Sequence, residues 1–201
     1  MISHKHKFIL ICPEKTGSTS AANFLLKYSD YKNINQQGKD IFDFIDEFSD
    51  MEPWMKKHGS KHIRYRLVVK RLAEKNIDHT QYYTAGMIRN PYDRIISFWK
   101  WSSKYLKKTL NEFLSEKNIS PLLDFFSIDS KVEVNNFIRY ENLQEDFNAF
   151  CNQIGIPPQQ LPHKNSSNHK HYTEYYDDET RQIVAEKYAK DIEYFNYKFG
   201  E

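Results

Sequence analysis

Lys15-Thr16-Gly17-Ser18-Thr19-Ser20 stands just behind the apolar run of residues 7–12, "KFILIC". A glycine lets the backbone approach an anion closely, the hydroxyls of Ser18, Thr19 and Ser20 add donors, and a lysine adds charge. If a helix opens at this point, its unpaired N–H groups and its dipole add positive potential. Those residue types in that order suit the holding of a phosphate or sulfate. The plainer alternative is a Ser/Thr-rich helix cap with nothing bound. The order differs from the nucleotide-triphosphatase loop G-x-x-x-x-G-K-[ST]: Lys15 precedes the only glycine, and no glycine opens the turn. No obvious magnesium-holding aspartate ends a later apolar strand.

A second segment repeats the arrangement. "YYTAGMI" (82–88) is apolar, and "RNPYDRIISFW" (89–99) follows it directly. Arg89 stands at the end of the apolar run, and Ser97 lies two helical turns further on. A guanidinium with a hydroxyl suits a second phosphate. Asn90-Pro91 reads as a turn with proline at a helix start. The structural alternative is an arginine that caps neighbouring carbonyls. Two anion sites at the ends of two adjacent strands point to a ligand with two separated phosphates.

A proton acceptor is available between the two segments. "KKHGSKH" (56–62) holds His58 and His62, each either a general base or a surface histidine in a basic loop. Glu141 is a further carboxylate, read first as an anchor for Arg139. Residues 56–75 carry eight Lys or Arg against one acid, Glu74, which is either an anionic-glycan patch or a solvated helix face.

These side chains need elements to carry them. Residues 7–12 and 82–88 read as strands buried on both faces, and 135–140 as a third. Residues 17–28, 40–48, 63–75, 92–105, 142–154 and 178–195 read as helices. Residues 51–62 and 155–172 read as loops, and the latter is long enough to suggest a role of its own. Strands alternating with helices indicate an α/β domain with a mainly parallel sheet.

The 201 residues suit one domain, 1–201, with a real core. Lys plus Arg is 29 against 27 Asp plus Glu, a net charge of +2 that argues against bulk nucleic-acid binding. Cys12 and Cys151 are too far apart in sequence for a disulfide framework or a metal-ligand spacing, so no metal is expected. They read as buried thiols in a reducing compartment. No apolar run is long enough for a signal peptide or a membrane span, so the expectation is cytoplasmic.

The quoted segments resemble the sulfotransferases, in particular the carbohydrate-type family. Lys15–Ser20 looks like the 5′-phosphosulfate loop of that family, and "RNPYDRIISFW" looks like its 3′-phosphate segment. "IRYENLQEDF" (138–147) and residues 161–197 resemble the later motifs, in order. The resemblance implies a P-loop-NTPase-like three-layer α/β fold, with a central mainly parallel sheet flanked by helices. It implies 3′-phosphoadenosine 5′-phosphosulfate (PAPS) as sulfuryl donor and a hydroxyl of a carbohydrate or other small acceptor. Lys15, Thr16, Gly17, Ser18, Thr19 and Ser20 would hold the 5′-phosphosulfate, and Arg89 and Ser97 the 3′-phosphate. Asn165 and Ser166 match a segment that closes over the cofactor. Lys15 would be catalytic at the leaving oxygen, with His62, then His58, as the general base. Glu14 departs from the pattern, which usually has proline there, and is expected to point away from the anion. Two other readings stand beside this one: a nucleotide or sugar kinase with an atypical loop, and a non-catalytic nucleotide-binding relative.

Overall fold

The computed structural model describes residues 1–36, 39–44, 62–102, 107–161 and 170–201. They form two compact units interleaved in sequence. The first is Met1–Ile88 with Phe125–Lys164, and the second is Arg89–Asp124 with Asn165–Glu201.

The first unit is built on a four-stranded sheet of order β1-β2-β5-β8. Its strands are β1 (Ile2–Ser3), β2 (Phe8–Ile11), β5 (Tyr83–Ile88) and β8 (Asn136–Arg139). The three strands expected from sequence are parallel, with Ile11 opposite Gly86 and Ile88 opposite Arg139. Their carboxyl ends therefore lie along one edge. β1 pairs antiparallel with β2, so the sheet is mixed.

Helices α1 (Ser18–Leu25), α2 (Tyr65–Glu74) and α6 (Leu143–Gln153) flank this sheet. Phe150 of α6 meets Phe8 and Tyr83, and Phe147 meets Phe24 of α1. Side chains alternate along a strand, so Thr84 and Gly86 face the side away from Tyr83. There Thr84 shares a hydrogen bond with the buried Tyr65 of α2, whose phenol desolvation pushes up to about 12.

Gly86 faces the ring of Phe126, the last residue of α5 (Leu123–Phe126), at close range. A Cβ at Gly86 would lie 2.5 Å from Phe126 Cε1, and Phe126 is fully buried. Gly86→Ala is expected to destabilise the protein by about 1–3 kcal/mol through overpacking. A lowered urea midpoint with an unchanged slope would show it; an unchanged midpoint would mean that the ring yields.

One element differs from the sequence reading. Residues 40–48 read as a helix, but Lys39–Phe44 is strand β4, paired antiparallel with β3 (Tyr31–Gln36) in a separate two-stranded sheet. Residues 45–48 lie outside the described residues. The register runs from Tyr31 opposite Phe44 to Gln36 opposite Lys39. A partner strand that was not recognised supplied the backbone bonds that decided the matter, and Ile41, Phe42 and Phe44 suit a strand well. A smaller hairpin, β6 (Ser127–Ile128) and β7 (Lys131–Val132), precedes β8.

The second unit is helical: α3 (Pro91–Trp101), α4 (Leu110–Glu116), α7 (Asp178–Lys187) and α8 (Ala189–Phe195). Its core joins Tyr92, Ile95 and Ile96 of α3 to Phe113, Val184 and Tyr188. The single helix expected over 178–195 is two. Tyr188 ends α7 and precedes α8 with ψ at 23°, and its phenol donates to the Ile119 carbonyl at 3.0 Å.

Asp191 is fully buried in this unit. Its carboxylate accepts from the backbone N–H groups of Leu122 (2.6 Å) and Leu123 (3.0 Å). Desolvation nevertheless outweighs those bonds and the nearby Arg94, so its carboxyl titrates above the ordinary 3.8. The native state then binds this proton more readily than the unfolded chain does. Its stabilising effect is complete below the unfolded value and is lost as pH rises through the native one. Urea titrations of wild type and Asp191→Asn from pH 3.5 to 7 should show a downward slope in wild type above about pH 3.8 that the variant lacks. Parallel curves would refute this.

Candidate functional site

The turn that leads to Lys15–Ser20 begins where β2 ends. Cys12 and Pro13 are buried, and the chain then turns through Glu14 and Lys15 into Thr16 and Gly17. Lys15 has φ at 64° and Gly17 has φ at 76°, both left-handed, on either side of Thr16. Glycine adopts that conformation at no cost. For a lysine it costs about 1–2 kcal/mol, and such strain gathers at binding sites. Alternating backbone handedness turns successive N–H groups toward one side, which makes a concavity for an anion.

Thr16 is fully buried, and its hydroxyl donates to the Pro13 carbonyl at 2.8 Å, closing the turn. The Thr16 hydroxyl is thus engaged within the turn, which leaves its backbone N–H as the donor it could offer an anion. α1 then starts at Ser18 with Gly17 as its cap. Gly17 has no side chain to satisfy the first turn, and that turn carries no acidic residue. Ser18 and Ser20 are buried, while Glu14, Lys15 and Thr19 are half-buried. An uncapped helix start behind a left-handed turn fits a phosphate or phosphosulfate group.

Two side chains from elsewhere in the first unit shape this loop. A Cβ at Gly17 would lie 2.6 Å from Tyr140 Cδ2 and 3.6 Å from a methyl of Leu143. Tyr140 follows β8 directly, so the sheet brings its ring over the loop. His62 enters from the residues before α2, and its Nδ1 lies 2.6 Å from the Cys12 carbonyl oxygen. A carbonyl only accepts, so Nδ1 carries the proton and the lone pair of the neutral ring is on Nε2. His62 thus stands at the end of β2 in the tautomer a base needs.

The second unit holds the other predicted residues. Arg89 is 6% exposed, at the entry to α3. Its Nε and NH2 groups donate to Asp93 Oδ2 at 2.8 and 2.7 Å. Ser97 is half-buried within α3, one turn beyond Asp93. Asn90 is fully buried: its Oδ1 accepts from Tyr92 N–H at 3.1 Å, and its Nδ2 donates to the Lys198 carbonyl at 2.8 Å.

The structure thus gathers Lys15–Ser20 and His62 around one turn, and places Arg89 just before α3 and Ser97 within it. His58, Asn165 and Ser166 lie outside the described residues. Glu141 is exposed on the turn after β8, and the Arg139 backbone N–H donates to Asp146. Sequence reasoning missed Asp93 and Tyr140. The spacing of four from Arg89 was a signal for Asp93. Nothing local pointed to Tyr140.

The sequence pattern of the Sulfotransferase family matches residues 1–127 and 103–198. The chain belongs to the sulfotransferase family. No curated protein and no solved structure matches it. The matched stretches of this sulfotransferase family member include residues 15–20, 89–99, 138–147 and 161–197. Membership supports transfer of a sulfuryl group and implies a donor of the PAPS type. Among the described residues, no helix is long and apolar enough to cross a membrane.

Proposed function

We propose that this protein is a PAPS-dependent sulfotransferase that acts on a hydroxyl of a carbohydrate or another small acceptor. The observation that carries the reading is the left-handed turn at Lys15 and Gly17, which opens an uncapped helix with His62 alongside. Bound PAPS supplies the sulfuryl group. The backbone of residues 15–18 and the hydroxyls of Ser18, Thr19 and Ser20 hold its 5′-phosphosulfate. Lys15 meets the negative charge that grows on the leaving oxygen. Arg89 and Ser97 hold the 3′-phosphate, with Asn165 and Ser166 as further donors. His62 Nε2 accepts the proton of the attacking hydroxyl, and its Nδ1–H keeps the ring oriented through Cys12. His58 is the second candidate for that step. The protein acts as one sulfotransferase-like domain, 1–201, in the cytoplasm.

The test is calorimetric titration with 3′-phosphoadenosine 5′-phosphate, with ATP–magnesium for comparison. The expected result is strong bisphosphate binding, weak ATP binding, and loss of the former in Arg89→Ala. Preference for ATP would favour the kinase reading, and no bisphosphate binding would remove the sulfotransferase one. With an acceptor found by transfer of labelled sulfate, His62→Gln should lower turnover by about 10²–10⁴-fold while bisphosphate affinity holds. Equal turnover in variant and wild type would exclude His62 as the base and turn the search to His58.

A further inference from the structure

We infer that Asp93 is a positioning residue: it orients the Arg89 guanidinium so that the protein distinguishes a 3′-phosphorylated nucleotide from its 3′-hydroxyl counterpart. This rests on the proposed nucleotide reading and adds to it the source of 3′-selectivity.

The geometry is specific. Arg89 directs both Nε and NH2 at one oxygen of Asp93. A guanidinium is a planar fork, so one engaged edge sets the plane and direction of the whole group. With the Nε edge turned to Asp93, the guanidinium is presented to a phosphate in one fixed plane. The pair is also enclosed, with side-chain exposures of 8% and 16%. At that burial, each charge makes the other tolerable, and a phosphate joins a pair that is already formed.

The backbone beneath is fixed as well. Asn90 caps α3 and ties it to Lys198, and Tyr176 donates to the Tyr92 carbonyl at 2.8 Å. Main chain and guanidinium are thus held by separate contacts, so the ordering cost of binding is met before the ligand arrives.

A second consequence concerns Arg89→Ala. That change leaves the Asp93 carboxylate, enclosed and without its arginine partner, facing the incoming phosphate. The loss should therefore exceed the loss of one contact, and Asp93→Asn on top of it should restore part of it.

The experiment measures affinity for 3′-phosphoadenosine 5′-phosphate and for adenosine 5′-monophosphate in the intact chain. The ratio of the two reports the 3′-phosphate alone, and monophosphate binding reports an intact loop. Asp93→Asn is expected to lower that ratio at least tenfold although it removes a negative charge, and Asp93→Glu to recover most of it. Arg89→Ala should bring the ratio near one, and the Arg89→Ala/Asp93→Asn pair should raise it from there. An unchanged or higher ratio in Asp93→Asn, with Arg89→Ala still deficient, would overturn the inference and leave the nucleotide reading standing. Full bisphosphate affinity in Arg89→Ala would overturn both. Should Asp93→Asn fail to fold, Asp93→Ser tests the same loss of orientation.

Discussion

Gly17→Ala is expected to destabilise the protein by roughly 2–5 kcal/mol and to remove bisphosphate binding, and two independent causes add up. The first is backbone conformation. Gly17 sits at φ 76°, ψ 8°, a left-handed position that costs a residue with a Cβ about 1–2 kcal/mol. The second is contact. The new Cβ would lie 2.6 Å from Tyr140 Cδ2, below any ordinary carbon–carbon approach, and overpacking of that kind costs about 1–3 kcal/mol. Relief can come only by moving the ring or the loop, and moving the loop re-aims the N–H groups that would hold the anion. A double variant separates the causes. Tyr140→Ala combined with Gly17→Ala should recover the steric share of stability but not the conformational share. Urea midpoints of the three variants give that partition. Equal stability of Gly17→Ala and wild type would show that the turn is not held in its left-handed form.

Lys15→Gly is expected to do the opposite: weaken binding while sparing the fold. Lys15 holds φ at 64°, where glycine is unstrained, so relief of about 1–2 kcal/mol offsets the extra freedom glycine gives the unfolded chain. The urea midpoint should stay level or rise. The ammonium is lost, however, and a hydrogen bond to a charged group contributes about 1.5–3 kcal/mol. Bisphosphate affinity should fall roughly 10- to 150-fold, more at low salt than at high salt. A midpoint that rises while affinity collapses would mark Lys15 as a residue kept in a strained conformation for binding. Unchanged affinity would assign the anion to the backbone and hydroxyls alone.

Much of this protein was legible in the sequence because the informative patterns are short. Phe8–Ile11 and Tyr83–Ile88 are strands where apolar runs stood, Asn136–Arg139 is the third strand expected, and their parallel pairing follows from the helices between them. The Lys15–Ser20 turn behind a strand was readable from residue type, since glycine, hydroxyls and lysine at a helix start have few other uses together. Arg89 directly after the Tyr83–Ile88 strand and Ser97 within the following helix were readable as positions in those elements. The alternation of strands and helices, and with it the α/β class, needed nothing beyond local periodicity.

Only the tertiary structure decided the rest, because it depends on partners that local pattern does not name. Ile2–Ser3 is too short to read as a strand and exists because β2 offers it an edge. Residues 39–44 form a strand because residues 31–36 pair with them, against the helical reading of the same stretch. The helix over 178–195 breaks at Tyr188, where the phenol reaches the Ile119 carbonyl. The same holds at the candidate site. Sequence supplied a glycine and a histidine, but not the Tyr140 ring over Gly17, nor the Cys12 carbonyl that sets the tautomer of His62. Residue type determines what a side chain is able to do. Contacts across long stretches of chain determine which of its atoms is turned to the work, since each is won in competition among all the partners the folded chain brings near.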